Sequence, residues 1–110
     1  MHDQNCIFCK IISGQIVSKI IYQTDLSIVL CDIAPQAPIH YLILPKIHVQ
    51  DLVHCTDPKL LADLMSIPSI LAQQLGDQTA FKLSTNNGYA AGQRVFHLHF
   101  HFMSGNNTTE

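Results

Sequence analysis

The chain has 110 residues, enough for one domain with a buried core and too few for two. Hydrophobic residues make up 47%, which excludes a disordered, solvated chain, while charged residues reach 13%, about half of the roughly 25% usual in soluble domains. The net charge is −2 and the six Lys and Arg are scattered, so the basic stripe that long nucleic acids require is missing.

Small phosphorylated ligands remain possible, because backbone N–H groups and histidines bind them without net positive charge. A surface so poor in charge points to a partner that hides part of it, and a homodimer is the simplest. No apolar run approaches the roughly 18 residues of a transmembrane helix. Met1-His2-Asp3-Gln4-Asn5 lacks the basic and apolar regions of a signal peptide. The expectation is a soluble, cytoplasmic, single domain over residues 1–110, with flexible tails at 1–5 and 104–110.

In chain order, residues 6–13 predict a short helix ended by Gly14. Apolar runs at 19–23 and 26–32, split by the turn-like Thr24-Asp25, predict an antiparallel hairpin. Pro35 and Pro38 make the next segment an extended loop. His40 to Leu44 reads as a buried strand stopped by Pro45. Asp57 as N-cap and Pro58 at the first helical position start a long helix. Its apolar stripe is Leu60, Leu64, Ile67, Leu71 and Leu75, Gly76 ends it, and Pro68 should kink or split it. Residues 79–85 predict a strand, 86–94 a loop rich in Gly, Asn and Ala, and 95–103 the last strand. This order argues for an α+β fold with a mostly antiparallel sheet, one face of which the long helix alone can cover.

The most informative segment is His97-Leu98-His99-Phe100-His101-Phe102. Side chains alternate along a strand, so His97, His99 and His101 share one face while Leu98, Phe100 and Phe102 can enter the core. A histidine ridge of this kind can be a solvated face, a metal site or a nucleophilic centre. The flexible segment Asn86 to Arg94 immediately before it favours the last reading, because close approach to a phosphate needs small residues and amide donors. Cys6-x-x-Cys9, without a secretory signal, is better read as metal-binding or redox-active than as a disulfide partner.

Taken together, these residues resemble the histidine triad (HIT) superfamily of nucleotide-binding hydrolases and transferases. His97 to Met103 matches its signature, Asp32 to His40 its ribose-side segment, and Leu44-Pro45-Lys46-Ile47-His48 its Pro-Lys-x-His element. Cys6 to Ile12 followed by Gly14 is similar to the opening of its bacterial members. The resemblance implies a five-stranded antiparallel sheet with one short N-terminal and one long helix, paired in a homodimer. It implies a hydrolase in which His99 attacks the α-phosphorus of a nucleoside phosphoramidate or mixed nucleotide anhydride. A nucleotidyl-histidine forms, and water then releases a nucleoside monophosphate such as AMP. His101 would donate to the phosphate and His97 would hold the geometry.

Asp32 would bind the ribose, Ile33 the purine base, and Asn86, Gly92 and Gln93 would surround the phosphate and leaving group. The resemblance also implies a structural, non-catalytic zinc on Cys6, Cys9, His48 and His97. Arg94 occupies a position where the phosphoramidase branch usually carries Ser, whose small hydroxyl an arginine cannot copy. A different reading is a catalytically weak nucleotide-binding module that regulates a partner. His40 and His54 receive no role.

Overall fold

A computed structural model describes residues 3–76 and 79–105. Its elements are α1 (Ile7–Ile12), β1 (Ile20–Gln23), β2 (Ser27–Cys31), β3 (Ile39–Pro45), α2 (Pro58–Leu75), β4 (Phe81–Ser84), a 3-10 turn (Tyr89–Ala91) and β5 (Phe100–Ser104). The five strands form one sheet in the order β1-β2-β3-β5-β4 with every neighbouring pair antiparallel. The expected α+β architecture with one short and one long helix is therefore present. Because β5 inserts between β3 and β4, the last histidine of the triad sits beside the middle of the sheet. Among the described residues, no helix is long and apolar enough to cross a membrane.

Helix α2 covers one face. Asp57 accepts from the Lys59 N–H at 2.9 Å and caps its start. Leu60, Leu64, Ile67 and Leu71 then pack on Val29, Ile43, Phe100 and Phe102. The helix runs unbroken through Pro68 instead of splitting there. An interior proline costs about 3 kcal/mol, whereas each buried leucine-sized side chain returns about 1.5–3 kcal/mol. Four such residues outweigh one proline. Leu64 is fully buried, so Leu64→Ala should cost about 2–5 kcal/mol, read as a lower urea midpoint. A loss below about 1 kcal/mol would mean that α2 is not anchored at this position.

The opposite face is covered over β2 and β3 by α1. Ile28, Leu30, Leu42 and Leu44 pack against Cys6, Phe8 and Cys9. A six-residue helix is too short to reach across the whole sheet. Leu42 pairs with His101, which pairs on its other side with Ser84, so these side chains share the α1 face. The sheet over β4 and β5 is left open beside α1.

The last strand begins at Phe100, not at residue 95, so His97 and His99 precede it. The β3–β5 ladder ends at the Ile43–Phe100 pair. Pro45 offers no N–H to extend it, and the polar groups of residues 97–99 take partners in neighbouring loops. Leu98 N–H donates to the Val49 carbonyl at 2.6 Å, and the Thr85 hydroxyl donates to the His99 carbonyl at 2.7 Å. The inward alternation survives, with Leu98, Phe100 and Phe102 all buried. At the other end Ser104 completes β5, while residues 106–110 of the expected tail lie outside the described residues.

Candidate functional site

The three histidines have different surroundings and therefore different chemistry. His97 is fully buried, and its Nε2–H donates to the Pro45 carbonyl at 2.8 Å. Its Nδ1 lone pair then faces the Sγ atoms of Cys6 at 3.3 Å and Cys9 at 3.6 Å. His99 donates its Nδ1–H to the His97 carbonyl at 2.7 Å, which fixes the tautomer and leaves the Nε2 lone pair free to attack. Phe8 meets the His97 and His99 rings edge-on at centroid distances of 5.7 and 5.1 Å, holding both in place from α1.

His101 is oriented by His40, a residue that the sequence reading passed over. The Gln36 backbone N–H donates to His40 Nδ1 at 3.0 Å, so the His40 proton resides on Nε2. That Nε2–H lies 2.9 Å from His101 Nδ1 and 3.3 Å from Asp32 Oδ2. Donation to His101 Nδ1 places the His101 proton on Nε2, where it becomes a donor to an anion. A polar residue inside an apolar strand was the available signal. Only the β3–β5 register, which pairs His40 with Met103, brings it to the triad.

Burial lowers the pKa of His99 from its ordinary value, against an opposing hydrogen bond to His97 and the Asp32 charge. His101 is pushed down to about 4 by burial first, then by the His99 and His40 imidazoles, with Asp32 opposing. Both rings are neutral at pH 7, as a nucleophile and a neutral donor require.

Two cavities meet at His101. One, of about 230 Å³, is lined by Asp32, Ile33, His99 and His101, with Phe8 and Leu42 among its apolar walls. The other, of about 360 Å³, is lined by Asn86, Gly92 and His101 together with Gln36 and Ser84. Gly92 takes a φ of +100°, a left-handed conformation suited to glycine, beside the Asn86 side chain. Gln93 lines neither cavity. Its amide donates to the Gln50 and Val95 carbonyls and its oxygen accepts from the Gly88 N–H, so it braces the loop from behind. The Arg94 guanidinium lies 3.9 Å over the Tyr89 ring and donates to the Tyr89 and Gln93 carbonyls, apart from these cavities.

Cys6, Cys9, His48 and His97 converge with their donor atoms all within 4.8 Å of one another. All four cysteines of the chain are free thiols. Tetrahedral zinc with bonds of about 2.3 Å to sulfur and 2.05 Å to nitrogen needs S···N edges of about 3.6 Å. The separations are 3.3 and 3.6 Å to His97 and 3.5 Å from Cys9 to His48, so the set can hold a metal ion. Burial raises the Cys6 thiol above its ordinary value, so an entering ion must displace a proton. The Pro45 carbonyl accepts from His97 Nε2–H, the kind of outer partner that orients metal-binding imidazoles, while Asp3 Oδ2 lies 3.9 Å from His48 Nε2, beyond hydrogen-bond reach.

The HIT domain family model matches residues 13–108. Protein HitA of Neisseria gonorrhoeae is 39% identical over 102 residues, covering 90% of this chain and 94% of that one. A HIT-like protein of Synechocystis sp. is 40% identical over 104 residues, covering 93% and 91%. Among solved structures, a HIT family hydrolase from Clostridium thermocellum superposes with a TM-score of 0.91 at 38% identity, covering 98% of this chain and 96% of that one. A histidine triad protein from Clostridium difficile gives 0.92 at 34% identity, covering 100% and 98%. With its triad, five-stranded sheet and two helices, the chain belongs to the HIT domain family, with the fold of its hydrolases.

Proposed function

We propose that the protein hydrolyses a nucleoside phosphoramidate or a mixed nucleotide anhydride through a nucleotidyl-histidine intermediate. The observation that carries this reading is the His99 Nδ1–H donated to the His97 carbonyl, which aims an unprotonated Nε2 into the cavity shared with Asp32 and His101. His99 Nε2 forms a bond to the α-phosphorus as the P–N or P–O bond to the leaving group breaks. An amine leaves with a proton taken up from solvent, and a phosphate-type group leaves as an anion.

The positive charge that develops on the His99 ring is stabilised through Nδ1–H by the His97 carbonyl dipole. His101 Nε2–H donates to a phosphate oxygen. Water then attacks phosphorus, the Nε2–P bond breaks, and a nucleoside monophosphate such as AMP departs while the water proton passes to solvent. Asp32 would accept from the ribose hydroxyls, and Ile33, exposed at the cavity rim, would lie against the purine. Asn86 and Gly92 would flank the leaving group, and Gln93 would act through the loop it braces.

Zinc on Cys6, Cys9, His48 and His97 would be structural, with all four positions filled by protein and none open for substrate. In this reading the protein works in the reducing cytoplasm, where both thiols stay available. Low charge content and an edge strand β4 carrying the exposed Phe81 support pairing of two copies, which sedimentation would detect.

The test is amine release from a fluorogenic adenosine phosphoramidate. Turnover by the wild type and none by His99→Ala supports the mechanism, and equal turnover by both sinks it. Binding of AMP without turnover of any nucleotidyl substrate would favour the regulatory module instead. A pH profile supplies a second check. A protonated Nε2 has no lone pair, so activity is lost as pH falls through the His99 pKa. Because burial lowers that pKa, kcat/KM should hold down to about pH 6.5 and fall only below it. An acid limb centred above about pH 6.5 would contradict the buried, neutral His99.

A further inference from the structure

The two cavities that meet at His101 differ in chemistry. The one that includes His99 is walled largely by apolar side chains, Phe8 and Leu42 among them. The other does not include His99, and Gln36, Lys82, Ser84 and Asn86 give it polar walls. The sheet register puts the lysine there. Ser84 pairs with His101 and Lys82 with Met103, so Lys82 stands on the α1 face, about 7 Å further along β4. Its flexible four-carbon stem lets the ammonium reach a group held at His101. Among the described residues that line this cavity, Lys82 carries the one full charge and none is a carboxylate.

In-line displacement sends the leaving group away from His99, opposite the attacking Nε2. A cavity that includes His101 without His99 is the place to receive it. We infer that this cavity takes the leaving group and that Lys82 selects an anionic, phosphate-type one over an amine. Selection of this kind rests on the nucleotidyl transfer proposed above, and it makes a nucleotide anhydride the preferred substrate. As His99 Nε2 bonds to the α-phosphorus, the bridging P–O bond breaks and its electron pair stays on the departing oxygen. The negative charge that collects there meets the Lys82 ammonium and the Ser84 hydroxyl, and no proton need be supplied. Asn86 gives one amide proton to the Ala91 carbonyl at 2.8 Å and keeps the other for the leaving group. An amine must instead take up a proton as the P–N bond breaks, which brings positive charge beside Lys82.

The test compares the full chain as wild type, Lys82→Met and Lys82→Arg. Methionine keeps much of the stem and removes the charge, whereas arginine keeps the charge. Turnover is measured with ADP, whose leaving group is phosphate, and with the fluorogenic adenosine phosphoramidate. The ratio of kcat/KM for ADP to that for the phosphoramidate should fall at least about tenfold in Lys82→Met. In Lys82→Arg it should stay within about threefold of the wild type. Binding supplies a readout free of turnover. α,β-Methylene ADP, whose carbon bridge cannot depart, should bind the wild type at least about tenfold tighter than AMP does. Lys82→Met should erase that advantage.

A ratio unchanged in Lys82→Met, with both substrates slowed alike or neither slowed, would overturn the assignment and leave Lys82 as a support of β4. Turnover of the phosphoramidate without turnover of ADP would overturn it too, as would methylene ADP bound no tighter than AMP. Each of these outcomes leaves the nucleotidyl-histidine reading intact. If AMP does not bind and neither substrate is cleaved, that reading fails and the leaving-group assignment falls with it.

Discussion

His99→Gly is expected to lower nucleotidyl transfer by at least about 10⁴-fold, a loss typical of deleting a covalent nucleophile. Free imidazole should restore part of it. The glycine leaves a gap beside Phe8 and the His97 carbonyl, and a diffusing imidazole can enter with one nitrogen donating to that carbonyl. Its other nitrogen then faces phosphorus as Nε2 does now. AMP affinity should fall far less than turnover, because Asp32, Ile33 and His101 still line the cavity. Rescue distinguishes a lost nucleophile from a disturbed fold. Activity near the wild-type level in His99→Gly without imidazole would assign the attack to another group.

The second large effect is on stability. Cys9→Ala is expected to abolish zinc retention and to lower Tm by about 10–20 °C, equivalent to about 3 kcal/mol or more. The reasoning starts from α1, whose six residues cannot form a stable helix in isolation. In the proposed centre, Cys6 and Cys9 would tie this helix to His48, beyond β3, and to His97. Losing one thiolate would free α1 from the sheet and expose Leu30, Leu42 and Leu44. Metal analysis with thermal unfolding is the measurement. Zinc content unchanged at one per chain, with a Tm shift below about 3 °C, would contradict the assigned ligands.

Much of the scaffold was legible in the sequence because its signals are local. The stripe Leu60, Leu64, Ile67 and Leu71 marks α2, and Asp57-Pro58 marks where it starts, with no information from distant residues. The hairpin and β3 are bounded by their own turn residues and prolines. The triad is visible because an alternating pattern fits inside six residues. What stayed hidden depends on partners far along the chain. That His97 and His99 precede β5 is decided by Val49, Thr85 and the end of the ladder at Ile43, short of Pro45.

The part His40 plays requires the β3–β5 register, which no local pattern encodes. Gln93 reads as one more polar residue of a flexible loop, yet its amide is committed to Gln50, 43 positions earlier. The continuity of α2 through Pro68 is similar, since local propensity argues for a break and tertiary burial overrides it.

The central claim is that phosphorus passes through a covalent bond to His99. The most direct test is the stereochemical course of hydrolysis of an adenosine phosphorothioate substrate of known configuration in isotopically labelled water. Two successive in-line displacements, by His99 and then by water, each invert phosphorus. The account therefore predicts net retention of configuration. Net inversion would show a single displacement by water and would contradict the nucleotidyl-histidine.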